Sequence, residues 1–215
     1  MRRAALLTIL ALAAPACEKD HPDAPATDKP DPTRVPVKVA GVYPDQWKCD
    51  SVVTTDTLAQ VLGGPVHVTD SATMPPNGVP HPCNYLVELS PPEAWTFDVD
   101  CRDNMKQRAD ALFAQYAKDS AEQVQKYDQM ADAGVLKSLV VDGGAPLHAP
   151  EGAAEVAVGA KGLDHHGQGL IFIDDDAPCY VRVVGPDSGK RLELAKLLAK
   201  QLTFANAPMT PRPMK

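Results

Sequence analysis

Cys83-Asn84-Tyr85-Leu86-Val87-Glu88-Leu89-Ser90-Pro91-Pro92-Glu93-Ala94-Trp95-Thr96-Phe97-Asp98-Val99-Asp100-Cys101 is the stretch that decides the fold. Residues 83–89 and 95–101 alternate apolar and polar side chains, the two-residue period of a strand with one buried face. Ser90-Pro91-Pro92-Glu93 between them is a compact turn, so the two runs read as an antiparallel hairpin.

Upstream, Thr54, Thr55 and Asp56 cap a short helix that carries Leu58, Val61 and Leu62 and stops at Gly63-Gly64-Pro65. Val66 and Val68 then start another strand. Residues 72–82, with four prolines and one glycine, form a loop and the expected rim of a binding surface. Downstream, Asp103 is placed to cap a long helix. Met105, Ala109, Leu112, Phe113 and Tyr116 follow one apolar stripe along it, and Val124 and Tyr127 extend it toward Met130. Residues 136–141 read as a strand, as do 154–160, 169–174 and 179–184. A last helix carries Leu192, Leu194, Ala195, Leu197, Leu198 and Leu202, with Asp187 or Ser188 as its N-cap. Helices interspersed with strands joined by short turns predict an α+β fold, an antiparallel sheet with helices packed on it.

The chain has 215 residues, 44% hydrophobic and 23% charged, which suits one domain with tails. Residues 47–204 are expected to fold, residues 17–46 to form a Pro-rich tether, and residues 205–215 a disordered tail. Twenty-one Lys and Arg against 28 Asp and Glu give a net charge of −7, with no basic cluster to neutralise phosphates. No nucleic-acid partner is expected.

Arg2 and Arg3 precede an apolar run over residues 4–14, closed by Ala14-Pro15-Ala16-Cys17, so residues 1–16 read as a signal peptide. A helix over that run is about 16 Å long, roughly half of a bilayer core. Cleavage before Cys17 fits an ordinary signal or a lipoprotein signal, and cysteine arithmetic separates the two. Five cysteines become an even four if Cys17 carries lipid. Cys49, Cys83, Cys101 and Cys179 contain no C-x-x-C spacing, which removes the zinc-ribbon and thioredoxin-like readings. In an exported chain they form two disulfides; of three pairings, Cys49 with Cys83 and Cys101 with Cys179 is favoured.

A lipobox-like end at Cys17, a Pro-rich spacer, Cys49 shortly before a helix ending Val61-Leu62-Gly63, and Cys83-x-Tyr85 opening a strand resemble small exported actinobacterial lipoproteins. They also resemble the related extracellular sensor domain of a mycobacterial Ser/Thr kinase. The resemblance spans most of residues 47–203 and implies a PsbP-like α/β/α sandwich without enzyme activity. Residues 143–150 match the expected turn only loosely, and no pocket residue carries over.

Candidate chemistry is sparse. Gly185-Pro186-Asp187-Ser188-Gly189-Lys190-Arg191 lies where a phosphate loop would, but it is one residue short and has Arg191 at the hydroxyl position. Asp164, His165 and His166, facing Asp174-Asp175-Asp176 across a strand, are the metal-site candidates, since imidazole and carboxylate suit zinc. Adjacent His side chains on an extended chain point to opposite faces, and solvated loop residues are expected there. His67, His81 and His148 are isolated, and Trp47, Tyr85, Trp95 and Phe97 read as core before cleft. No catalytic residue and no cofactor is expected.

The expectation is a cell-envelope lipoprotein, held to the bacterial membrane by lipid on Cys17, whose domain binds an unidentified small molecule or protein. Two other classes are kept open. One is an exported hydrolase or metal-dependent enzyme whose His and Asp residues converge in the fold; the other is an envelope inhibitor or immunity-type protein.

Overall fold

A computed structural model describes residues 38–70, 74–134, 152–165 and 169–214. The N-terminal segment with Cys17, the expected strand at 136–141, the turn at 143–150, His148 and His166 lie outside the described residues.

The short helix forms as its end signals dictate. Helix α1 (Thr55–Leu62) has Thr54 as N-cap, its side chain accepting from the Thr57 amide, and Gly63 as C-cap with φ 82°. That left-handed conformation favours glycine, and the Gly63 amide bonds back to the Ala59 carbonyl. Strand β2 (Val66–Thr69) follows, then β3 (Cys83–Val87) and β4 (Glu93–Asp100) as the expected hairpin, with Tyr85 opposite Trp95.

Helix α2 (Met105–Asp132) starts at Asn104, with no side-chain capping bond, so Asp103 does not serve as the cap. The next strand is shorter than expected. It ends at Val156 as β5 (Ala154–Val156), the chain bends, and an unexpected strand β6 (Lys161–His165) pairs with β5 and with β7 (Gly169–Ile173). Lys161-Gly162-Leu163-Asp164-His165 holds one large apolar residue, so its strand character has no periodic signal. Gly169, at φ 95°, starts β7 where an added Cβ would lie 2.3 Å from the Val183 carbonyl oxygen, a close approach that only glycine allows. Strand β8 (Tyr180–Val184) and helix α3 (Ser188–Gln201) complete the core, and Asp187 caps α3 by accepting from the Lys190 amide.

The sheet is antiparallel and seven-stranded in the order β2-β3-β4-β8-β7-β6-β5. Its two faces differ. Tyr85, Val87, Trp95, Phe97, Leu170, Phe172, Val181 and Val183 face α1 and α3 and form the main core with Leu58, Leu62, Leu194 and Leu198. The alternate residues Leu163, Ile171 and Ile173 face α2 and pack with Ala109 and Phe113. Strand β7 is therefore buried on both faces, which is why it reads as an unbroken apolar run. Trp47, Tyr85, Trp95 and Phe97 are all core.

Both disulfides join the expected partners, Cys49 to Cys83 and Cys101 to Cys179. They fit an oxidising, extracytoplasmic compartment. No helix among the described residues is long and apolar enough to cross a membrane.

The sequence reading opens the domain at Trp47 and closes it at Phe204; the structure carries it further at both ends. Val39–Ala40, here β1, pairs with Arg212–Pro213, here β9. The Gly41 and Val42 amides donate to the carbonyls of Ala205 and Ala207, and the Trp47 indole N–H donates to the Asn206 carbonyl at 2.9 Å. Ala40, Ala207 and Met209 are buried. Prolines made this tail look structureless, but a Pro-rich strand can still accept hydrogen bonds when its partner supplies the amides.

Candidate ligand-binding cleft

Among the described residues, the cover on the α2 side of the sheet is incomplete. Helix α2 packs over β6, β7 and β8 and leaves the outer faces of β3 and β4 to polar side chains such as Asn84 and Thr96, which are bonded to each other at 2.8 Å. At the border between the covered and open halves lies a cavity of about 460 Å³. That volume is of the size that takes a small ligand.

A strand pair, a helix and a loop build it. Alternation on β4 and β8 turns Trp95, Phe97, Val99, Val181 and Val183 into the core, so Asp98, Asp100, Tyr180 and Arg182 form the floor of the cavity. On α2, Met105, Arg108, Leu112 and Tyr116 recur at helical spacing and form one wall. The opposite wall is the Pro-rich loop, with Met74, Pro75, Pro76, Val79, Pro80 and Pro82. The described part of the loop expected as a binding rim does line a cavity.

The floor is electrostatically matched. Asp98 and Arg182 stand opposite each other in the β4–β8 register, and the Arg182 Nε donates to Asp98 Oδ2 at 2.7 Å. Burial pulls the Arg182 guanidinium down, but the Asp98 charge and hydrogen bond outweigh it and leave it raised. Asp100 takes Arg102 in a two-pronged pair, Nε to Oδ1 at 3.0 Å and Nη2 to Oδ2 at 2.6 Å. That hydrogen bond raises Arg102 further above its ordinary value. Burial, followed by its hydrogen bond to Tyr116, pushes the Tyr180 hydroxyl up, so it stays a neutral donor at physiological pH. The arrangement can hold a ligand by hydrogen bonds and apolar contact, and every acidic group on its floor is already engaged by a guanidinium.

Sequence patterning finds the loop and the helix stripe. It does not find the floor, because Asp98 and Arg182 are 84 residues apart and meet only through the β4–β8 pairing.

The described metal-site candidates, Asp164 and His165, do not converge with Asp174. Asp164 and His165 are strand residues, not solvated loop residues: His165 is fully buried. As neighbours on β6 they face opposite ways. His165 lies edge-on to the Tyr116 ring on the α2 side, with ring centroids 6.1 Å apart. Asp164 reaches the α3 side, where it accepts from Arg191 Nε at 3.1 Å. Asp174 stands at the far end of the β6–β7 hairpin, beyond the Lys161–Ile173 pair. Its Oδ2 accepts from the amides of Asp176 and Ala177, closing the turn. Among the described residues no group of three or more His, Cys, Asp or Glu side chains is placed to hold a metal ion. His67 is exposed beside Glu88 at 2.8 Å, and His81 is exposed.

Arg191 bonds to both Asp164 and the Gly185 carbonyl, at 2.7 Å to the latter. The loop that resembles a phosphate site is thus tied down by its own arginine.

Asp174 carries a pH prediction. Burial raises its carboxyl, and the neighbouring Asp175 and Asp176 charges add to the rise, against the two backbone amides that lower it. The folded protein then binds this proton more tightly than the unfolded chain, so stability falls as pH rises from the ordinary value, 3.8, to the raised one. Asp174→Asn keeps an acceptor for the two amides and removes the titration. Urea unfolding from acid to neutral pH is expected to show the wild type losing stability relative to Asp174→Asn; parallel curves would contradict it.

Comparison with protein families, with curated proteins and with solved structures finds no match to this chain.

Proposed function

We propose that this chain is a bacterial cell-envelope lipoprotein, anchored through Cys17 and spaced from the membrane by its Pro-rich segment, whose α+β domain binds a ligand without transforming it. The observation that carries the binding half is the cleft between the Pro-rich loop and α2, with its preformed floor of paired charges. A general base works best with a pKa near the operating pH. The cleft instead presents carboxylates already held by arginines and a tyrosine raised by burial, a set suited to recognition. The likeness to sensor-type exported lipoproteins of PsbP-like fold belongs to this proposal. What supports it is an antiparallel sheet with helices on both faces and two disulfides.

Two measurements test the halves separately. Labelled palmitate supplied to the producing cells is expected to enter the wild type and not Cys17→Ala, whereas equal labelling or none would remove the anchor. For the cleft, the methionine methyl groups are natural reporters: Met74 and Met105 line it and Met130 does not. A low-molecular-weight extract of the cell envelope is expected to shift the first two methyl resonances and leave Met130 in place. Shifts confined to Met130, or none, would count against the reading.

A further inference from the structure

Among the described residues the charges around the cleft do not balance, and the imbalance has a sign. Its lining holds two carboxylates, Asp98 and Asp100, and three guanidiniums, Arg102, Arg108 and Arg182. Asp98 is taken by Arg182 and Asp100 by Arg102. Arg108 has no ion-pair partner among the described residues, and it sits on the α2 wall between Met105 and Leu112. Across from it stands an apolar wall of Met74, Pro75, Pro76 and Val79.

We infer that the cleft takes a small amphipathic monoanion, a single carboxylate-type head on an apolar body, with Arg108 receiving the head and the Met74–Val79 side of the loop receiving the body. This rests on the cleft being the binding site. A cationic head would add to the unmatched positive charge, and a neutral one would gain no charge-assisted bond from Arg108, whose guanidinium is otherwise solvated. The net charge of the chain, −7, repels anions in general, so anion preference at this place has to come from the local arrangement. A charge-assisted hydrogen bond at a half-open site supports roughly a tenfold preference over a neutral analogue.

The test uses three single-chain probes with a nonyl or decyl tail, decanoate, decanamide and decyltrimethylammonium, titrated into the protein while its methionine methyl resonances are followed. Decanoate is expected to move Met74 and Met105 and to bind about tenfold more tightly than decanamide. Arg108→Gln, at an exposed helix position, is expected to remove that preference and its salt dependence, bringing decanoate down to the affinity of decanamide for the same variant. If decanamide or decyltrimethylammonium moves Met74 and Met105 as readily as decanoate, the cleft stands and the inference falls. Movement of the exposed Met130 and Met214 to the same extent would show non-specific amphiphile binding and overturn the inference. If none of the probes moves Met74 or Met105, the inference falls together with the cleft.

Discussion

Replacing both Cys101 and Cys179 by alanine is expected to lower the free energy of unfolding by about 4.5 kcal/mol in the chain-entropy account. The crosslink closes a loop of 78 residues that contains all of α2. Without it the unfolded chain regains the freedom of that whole loop. The Cys49–Cys83 bridge spans 34 residues, and its removal is expected to cost about 3.8 kcal/mol on the same basis. The larger loss should also reach the cleft. Cys101 directly follows Asp100 and precedes Arg102, the pair that forms one end of the floor, and Cys179 precedes Tyr180. Urea unfolding without reductant measures both costs, and a smaller loss for Cys101/Cys179 than for Cys49/Cys83 would contradict the ranking.

The second large effect is expected at Arg191. Its side chain is 4% exposed and its partner Asp164 16%, with three hydrogen bonds joining the guanidinium to Asp164 and the Gly185 carbonyl. Arg191→Met keeps an unbranched apolar stem and removes the guanidinium, stranding the Asp164 carboxylate beneath α3. Breaking one side of a buried pair costs about 3 kcal/mol or more, because the remaining charge loses its counter-ion without regaining water. Arg191→Met with Asp164→Asn removes both charges and is expected to recover a good part of that loss. A double variant no more stable than Arg191→Met would show that the helix packing, not the stranded charge, sets the cost.

How far the sequence foretells this structure depends on the range of each signal. Thr54 and Gly63 bracket α1, and Pro91-Pro92 separates β3 from β4, because caps and turns act within a few residues. The disulfide pairing follows from where each cysteine falls relative to those elements. Strand β6 escaped because Leu163 is its single large apolar side chain, and its hold on the sheet comes from pairing with β5 and β7 on both sides. The C-terminal segment escaped because its prolines suggested a free tail, while its hydrogen bonds come from amides near Gly41, over 160 residues away. The cleft was half legible. A Pro-rich loop and a helix stripe announce two walls, but the paired charges of the floor are made by strand order, which no local pattern carries.

The central claim is that the cleft under the Pro-rich loop is occupied in the living cell, and site-specific photocrosslinking tests it most directly. With p-benzoylphenylalanine replacing Leu112, which lines the cleft, irradiation of the producing bacteria is expected to yield a discrete adduct on the protein. The same group replacing Met130, exposed on α2 and outside the cleft, is expected to yield none. No adduct at position 112, or the same adduct at both positions, would contradict the claim.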